Sequence, residues 1–123
     1  MGLDMWLYGV KYNSARLNNT DKTTIVHTQE LYWRKADMIH NWFVKNVQNG
    51  EDDCRTYEVS HMVLENLVND CQRVIDNPEK ASEILYSYYY YDDWYFNELK
   101  RTVREIKKLL KQNYDWFSYA SSW

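Results

Sequence analysis

The sequence predicts an α+β domain in which about three amphipathic helices pack on one face of a small antiparallel sheet. Two observations favour this class: apolar residues recur every three or four positions in three long segments, and short segments of strand-like composition separate them. The strands are not long and apolar at the spacing of βαβ units, so a doubly wound parallel sheet is not expected. A length of 123 residues without an internal linker predicts a single domain over 1–123.

The first predicted strand covers Leu3–Tyr12. Apolar side chains alternate there with mainly aromatic ones, so both faces of the strand are apolar or aromatic. A strand of this kind is either covered on both sides, or its second face meets a partner. The polar segment Asn13–Thr24 has little to bury and predicts an exposed loop or hairpin turn.

The first predicted helix runs from about Thr28 to Gln48. Thr28 is its candidate N-cap, and Gly50 lies just past its end. An acidic turn, Glu51–Asp53, and a short strand over Arg55–Val59 are expected to follow. The apolar stripe of the helix steps by four, three, four and four residues through Tyr32, Ala36, Ile39, Phe43 and Val47.

The second predicted helix begins after Ser60, which is a suitable N-cap. It ends before Pro78, because proline disfavours the helical conformation of the residue that precedes it. The segment Asn77–Leu85 is expected to form a further short helical turn with Pro78 in its first position. The stripe of the second helix consists of Leu64, Leu67, Val68, Cys71 and Ile75.

The third predicted helix follows Asp92, its candidate N-cap. The tyrosine-rich run Tyr86–Tyr91 in front of it favours extended structure, because aromatic residues pack well on a pleated surface. The segment Trp116–Trp123 behind it is expected to add a closing strand beside the first strand. The stripe of the third helix consists of Phe96, Leu99, Val103, Ile106 and Leu110.

Charge and cysteine content exclude several function classes. The chain has 15 Lys+Arg and 18 Asp+Glu, and this small acidic excess does not attract a phosphate backbone, so a nucleic-acid partner is not expected. We expect no signal peptide and no membrane partner, because no window has the length and apolar character of a membrane span. Cys54 and Cys71 do not have the spacing of a zinc site, and neither a metal nor another cofactor is predicted.

Four segments of the chain carry a specific combination of motifs: Gly2–Leu7, Tyr32–Val44, Asn49–Cys54 and Ser121–Trp123. Together they resemble a family of small proteins encoded by tailed bacteriophages, and the resemblance covers most of the sequence. It implies a phage gene product that works in the cytoplasm of the host bacterium, but it supplies no catalytic or binding residues. Members of that family carry a glycine- and phenylalanine-rich segment between the second and third helices, where this chain has Leu85–Tyr91.

The aromatic share of 17% predicts a surface for a partner protein. Successive strand residues point to opposite faces, so the core can absorb about half of the rings in Tyr86–Tyr91. Surplus Tyr and Trp side chains are enriched at protein interfaces, although such rings can also lie flat on the surface with their hydroxyls in water. With the phage resemblance, this predicts a protein that binds and inhibits a host protein in an anti-CRISPR or other anti-defence role. The predicted partner-binding residues are Tyr86, Tyr88, Tyr89, Tyr90, Tyr91, Asp92, Asp93 and Trp94.

A second cluster offers a different function, the binding or hydrolysis of a nucleotide-like small anion. Positions 33, 37 and 40 share one flank of the predicted first helix, and the basic residues beside them would supply charge. No catalytic motif accompanies the cluster, so we do not predict an enzyme, and an exposed helix face followed by an acidic turn is the simpler interpretation. Self-assembly through the aromatic strand edges is a third hypothesis. The candidate ligand-binding residues are Trp33, Arg34, Lys35, Asp37, His40, Asp52 and Asp53.

Overall fold

The computed structural model describes residues 2–13 and 24–123, and these form the predicted α+β arrangement of helices and an antiparallel sheet. The strands are β1 (Asp4–Asn13), β2 (Thr24–Arg34), β3 (Tyr57–Val59) and β4 (Trp116–Ser122). The helices are α1 (Asp37–Asn46), α2 (His61–Asp76), α3 (Ala81–Ile84) and α4 (Asp93–Leu110), with a 3₁₀ turn at Pro78–Lys80 in front of α3.

The sheet has the strand order β2-β1-β4-β3, and every neighbouring pair is antiparallel. The closing strand β4 lies beside β1 in the register Asp4↔Ser122, which confirms the prediction for the C-terminal segment. The short strand before α2 is also confirmed, and it pairs with β4 in the register Val59↔Phe117.

The core lies between one face of the sheet and the helices. Met5, Leu7 and Trp33 are fully buried there, together with Phe117 and Tyr119 of β4. The opposite face carries rings that remain partly exposed, among them the pairs Trp6–Tyr32 and Tyr12–Trp116, with ring centroids 6.0 and 4.8 Å apart. Helices therefore cover the face of β1 that carries Met5 and Leu7, whereas its aromatic face stays partly exposed.

The first predicted helix is wrong in its N-terminal part, because Thr24–Arg34 forms β2 and α1 begins at Asp37. Leu31 and Trp33 are buried whereas Tyr32 between them is exposed, which is the two-residue period of a strand. The β-branched and aromatic residues of this segment pair with β1 over its whole length. Thr28 is consequently a strand residue and not an N-cap.

Lys35 marks the change from strand to helix. Its φ of 58° lies in the left-handed region, and its backbone N–H donates to the carbonyl of Leu3 at 2.7 Å. This bend ends β2 and places Asp37 in the first turn of α1. The apolar positions of β2 and α1 thus resemble one continuous helical stripe, although β2 ends at Arg34 and α1 begins at Asp37.

The remaining helix boundaries agree closely with the prediction. Ser60 accepts a hydrogen bond from the backbone of Val63, and Asp92 accepts one from the backbone of Tyr95, so both predicted N-caps are confirmed. The short helical turn that begins at Pro78 is also confirmed. Within α2, Val74 is buried where the predicted stripe has Ile75, which is half-buried.

The tyrosine-rich run is not a strand. Tyr86–Tyr91, which we name the tyrosine segment, is an irregular connection between α3 and α4, and its hydrogen bonds to side chains are described below. Residues 14–23 of the predicted loop Asn13–Thr24 lie outside the described part of the chain. None of the described helices combines the length and apolar character needed to cross a membrane.

Candidate functional site

A cleft of about 730 Å³ lies between the start of α1, the tyrosine segment, the first turn of α4 and the residue that follows β4. Its size falls within the range of protein clefts that hold small ligands or the side chains of a partner. Side chains distant in sequence meet there because the β2-α1 bend, the α3-α4 connection and the end of β4 lie together. The lining residues are Leu3, Lys35, Asp37, His40, Asn41, Asp52, Tyr88, Tyr89, Tyr90, Asp92, Trp94, Tyr95 and Trp123.

The cleft combines parts of the two clusters that the sequence suggested separately. Lys35, Asp37, His40 and Asp52 come from the candidate ligand-binding residues. The candidate partner-binding residues contribute Tyr88, Tyr89, Tyr90, Asp92 and Trp94, whereas Tyr86, Tyr91 and Asp93 are not among the residues that line the cleft.

Asp37 holds the tyrosine segment against α1. Its buried carboxylate accepts hydrogen bonds from Ser87 Oγ at 2.9 and 3.0 Å, from the backbone N–H of Tyr88 at 2.9 Å and from the hydroxyl of Tyr95 at 2.8 Å. Ser87 Oγ in turn accepts from the backbone N–H of Tyr89 at 3.0 Å. The carboxylate is thus satisfied within the protein and serves to position the segment.

Two further hydrogen bonds hold the ends of the tyrosine segment. Asn41 of α1 donates to the backbone carbonyl of Tyr86 at 3.0 Å, and the hydroxyl of Tyr91 donates to the carbonyl of Leu85 at 2.7 Å. Burial raises the pKa of Tyr95, which lies under the segment, to about 12, and its hydrogen bond to Asp37 acts in the same direction. The phenol therefore stays protonated at neutral pH and keeps donating to Asp37.

The rings at the rim of the cleft project into solvent although the backbone that carries them is held. Tyr88 is 72% exposed, Tyr89 68% and Tyr90 91%. Trp94 of α4 and Trp123 add exposed indole rings on the same cleft. We name these five side chains the rim rings.

A chain of hydrogen bonds runs from the core to the floor of the cleft through His40. The imidazole is buried, with Nδ1 2.6 Å from the hydroxyl of Tyr119 and Nε2 2.8 Å from Asp52 Oδ1. The same Asp52 oxygen accepts from Nε1 of Trp123 at 2.9 Å. The chain thereby ties α1, β4 and the acidic turn together.

The carboxylate fixes the direction of one of these bonds. A carboxylate accepts, so Nε2 of His40 is the donor in the hydrogen bond to Asp52 Oδ1. Nδ1 shares the second bond with the hydroxyl of Tyr119, a phenol whose pKa is raised by burial. Both ring nitrogens are engaged, and His40 therefore positions Asp52 rather than presenting a free nitrogen to a ligand.

Three candidate ligand-binding residues lie away from the cleft lining. Trp33 is buried in the core on β2, where its Nε1 donates to Thr102 Oγ1 at 2.8 Å, so the predicted helical flank shared with Asp37 and His40 is wrong. Arg34 is exposed at the end of β2. Asp53 also lies outside the lining and is considered next.

Asp53 forms a local structure within the acidic turn. It accepts a hydrogen bond from the hydroxyl of Tyr57 at 2.6 Å and one from the backbone N–H of Arg55 at 3.1 Å. The bond from Tyr57 is the main reason that the pKa of Asp53 lies below its ordinary value. The neighbouring aspartates thus have different roles, since Asp52 faces the cleft and Asp53 stabilises the turn.

Four residues that build the site are not among the site residues predicted from the sequence: Ser87, Tyr95, Tyr119 and Trp123. Ser87 carries a signal in the sequence, because it interrupts an otherwise continuous run of tyrosines. The other three residues have no comparable signal, since their roles depend on hydrogen bonds to residues 58 to 79 positions away, from Tyr95 to Asp37, from Trp123 to Asp52 and between Tyr119 and His40.

Within the described residues, no group of three or more His, Cys, Asp or Glu side chains is arranged to hold a metal ion. Comparison of the chain with protein-family models, with curated proteins and with solved structures finds no match. The properties of the cleft therefore form the structural basis for the function proposed below.

Proposed function

We propose that the protein is a tailed-phage accessory protein that binds a host protein in the bacterial cytoplasm and inhibits it, in an anti-CRISPR or other anti-defence role. The phage origin comes from the sequence resemblance. The observation that carries the binding role is the set of rim rings, which stand exposed around one cleft. Tyr and Trp side chains at the centre of an interface contribute much of the binding energy.

The held backbone of the tyrosine segment supports this proposal. Asp37 and Asn41 fix the segment from α1, so the chain that carries Tyr88, Tyr89 and Tyr90 is largely ordered before a partner arrives. An interface formed on an ordered segment loses less conformational entropy than one formed on a flexible loop. Exposed rings on an anchored backbone are thus suited to tight association.

Affinity capture from a lysate of the bacterial host tests the proposal. The immobilised protein should retain a host protein in stoichiometric amount, and the triple variant Tyr88→Ser, Tyr89→Ser, Tyr90→Ser should lose it. The matched control is Met62→Ser, which removes an exposed apolar side chain of α2 outside the cleft lining and should retain the partner. The activity of the captured protein should fall when the wild-type protein is added.

Two results would contradict the proposal. The first is equal capture by the wild type and the triple variant, because the rim rings would then contribute nothing to association. The second is a stable dimer or larger assembly in light scattering that the triple variant converts to a monomer, because the rings would then serve self-assembly.

A second candidate function is the binding of a small ligand, because the size of the cleft suits one and Lys35, His40 and Asp52 all line it. Of the predicted nucleotide-like anion site, Lys35 and Asp52 face the cleft, His40 positions Asp52, and Arg34 and Asp53 lie outside the lining. A thermal-shift panel of nucleotides and other small anions tests it. A ligand at a hundred times its dissociation constant should stabilise the protein by about 2.7 kcal/mol, and absence of stabilisation across the panel would reject the candidate.

A further inference from the structure

The charges that line the cleft are mainly negative. Asp37, Asp52 and Asp92 contribute carboxylates, and Lys35 contributes one ammonium group. Asp37 is satisfied by internal donors, so the other two carboxylates and the lysine are the charges that a partner would meet.

Asp52 and Asp92 each keep an oxygen for a partner. Asp52 uses Oδ1 for His40 and Trp123, and Asp92 uses Oδ1 for the backbone of Tyr95. Their second oxygens make no hydrogen bond to the part of the chain that the structure describes, and both residues are exposed. The cleft thus offers acceptors whose hydrogen bonds are not already made inside the site.

The rim rings and these carboxylates both favour a positively charged ligand. The face of a Tyr or Trp ring carries partial negative charge and attracts a cation placed over it. An anion in the cleft would meet the ring faces and the carboxylates unfavourably, whereas a cation would be attracted by both.

We propose, on the basis of the protein-binding function above, that the cleft receives an arginine side chain of the partner protein. A guanidinium is planar and carries several N–H donors, so it can stack on a ring and donate to the remaining oxygen of a carboxylate. Asp52 and the ring of Trp123, joined by a hydrogen bond, form one place where both contacts are available together. Asp92 and Trp94, at the start of α4, add a second carboxylate and a second indole ring to the same lining.

Lys35 opposes such a ligand and supplies a sharp test. Its ammonium is the cationic side chain of the lining, so removing it should strengthen the binding of arginine. Asn is the suitable replacement, because it is uncharged and adopts positive φ more readily than most residues. A variant that gains affinity cannot be explained by damage to the fold.

The experiment titrates the full chain with three blocked tripeptides that carry arginine, citrulline or glutamate at the centre, and it follows the indole N–H signals of Trp94 and Trp123 by NMR. Citrulline has nearly the shape of arginine but no charge. We expect the arginine peptide to shift both signals, with the citrulline peptide at least about threefold weaker and the glutamate peptide without effect.

The variants then assign the interaction to the cleft. Asp52→Asn keeps an oxygen that can accept from His40, and Asp92→Asn keeps a helix cap, so both should fold; each should weaken the arginine peptide by about threefold. Lys35→Asn should strengthen it by a similar factor. Glu65→Gln removes the same charge from an exposed position on α2 and should leave the affinity unchanged.

Equal binding of the arginine and citrulline peptides, or binding of the glutamate peptide, would overturn the arginine assignment. So would an affinity that Asp52→Asn, Asp92→Asn and Lys35→Asn leave unchanged. The protein-binding function would survive any of these results if the wild-type protein still captures a host protein through the rim rings. Failure of the wild-type protein to capture any host protein would refute the protein-binding function itself.

Discussion

The aromatic residues of this protein form two groups with opposite surroundings. Trp33, Phe43 and Tyr119 are fully buried in the core, and the rings of Phe43 and Tyr119 stack with centroids 3.8 Å apart. The rim rings stand in solvent around the cleft, and three of the five come from the tyrosine segment. The difference shows that a high aromatic content here serves both a dense core and an exposed surface.

The same division occurs inside the tyrosine segment. Tyr91 is partly buried against Tyr95 and Phe96, and burial raises its pKa, whereas Tyr90 beside it is almost fully exposed. Adjacent residues of identical chemistry thus have different energetic roles. Substitutions can separate stability from surface function within this one segment.

The largest expected effect is on the core group. Trp33→Ala should lower the free energy of unfolding by about 3–5 kcal/mol, because it removes a fully buried ring and leaves Thr102 without its indole donor. Tyr90→Ala should change it by less than about 0.5 kcal/mol. Equilibrium denaturation with urea measures both, and similar losses for the two variants would contradict the division into two groups.

The second-largest loss of stability is expected at Asp37, whose carboxylate accepts from the buried Tyr95 and from the backbone of Tyr88 beneath a rim ring. Asp37→Asn should cost about 1–3 kcal/mol, because an amide replaces one of the two acceptor oxygens and leaves a buried donor unsatisfied. Amide hydrogen exchange of the tyrosine segment should also accelerate. Unchanged exchange at Tyr88 and Tyr89 would show that Asp37 does not hold the segment.

Alkaline pH should lower the free energy of unfolding through the buried phenols of the core. Burial raises the pKa of Tyr95 from 10.0 to about 12 and also raises the pKa of Tyr119, so the native state retains protons that the unfolded chain releases. The stability that these phenols contribute is therefore complete below pH 10 and declines above it, and the part that Tyr95 contributes is lost as the pH rises through about 12. Each unit of raised pKa corresponds to about 1.4 kcal/mol.

Urea unfolding across this pH range measures the alkaline effect. Tyr119→Phe removes one titrating group and should make the decline shallower, whereas Tyr90→Phe, at an exposed position, should leave the slope unchanged. A shallower decline in Tyr90→Phe alone would contradict the assignment to buried phenols.

The smallest effect lies in the acidic turn. Tyr57→Phe should return the pKa of Asp53 towards its ordinary value of 3.8, because the hydrogen bond that lowers it is lost. In the wild type the contribution of Asp53 to stability is present above pH 3.8 and is lost as the pH falls through the lower native pKa. NMR titration of the Asp53 carboxyl carbon measures the shift, and an unchanged titration would exclude the role of Tyr57.

Local sequence signals predicted the elements whose boundaries depend on nearby residues. Ser60 and Asp92 mark the starts of α2 and α4 because each cap bonds to a residue three positions later. The helix predicted over Thr28–Arg34 is wrong because the spacing from Tyr32 to Ala36 also fits a helix, and only the pairing of this segment with β1 shows that it is a strand.

By itself, the sequence determined the α+β class, the N-caps of α2 and α4, the closing strand and the surplus of aromatic rings. Tertiary structure alone decided that the tyrosine segment lies outside the sheet and that Trp33 is buried in the core. It also decided that Asp52 contacts His40 and Trp123 at one cleft. The physical reason is the range of the interactions: a cap or an apolar stripe acts over a few residues, whereas the bond from Tyr95 to Asp37 joins positions 58 residues apart. Such contacts form only when the whole core has assembled.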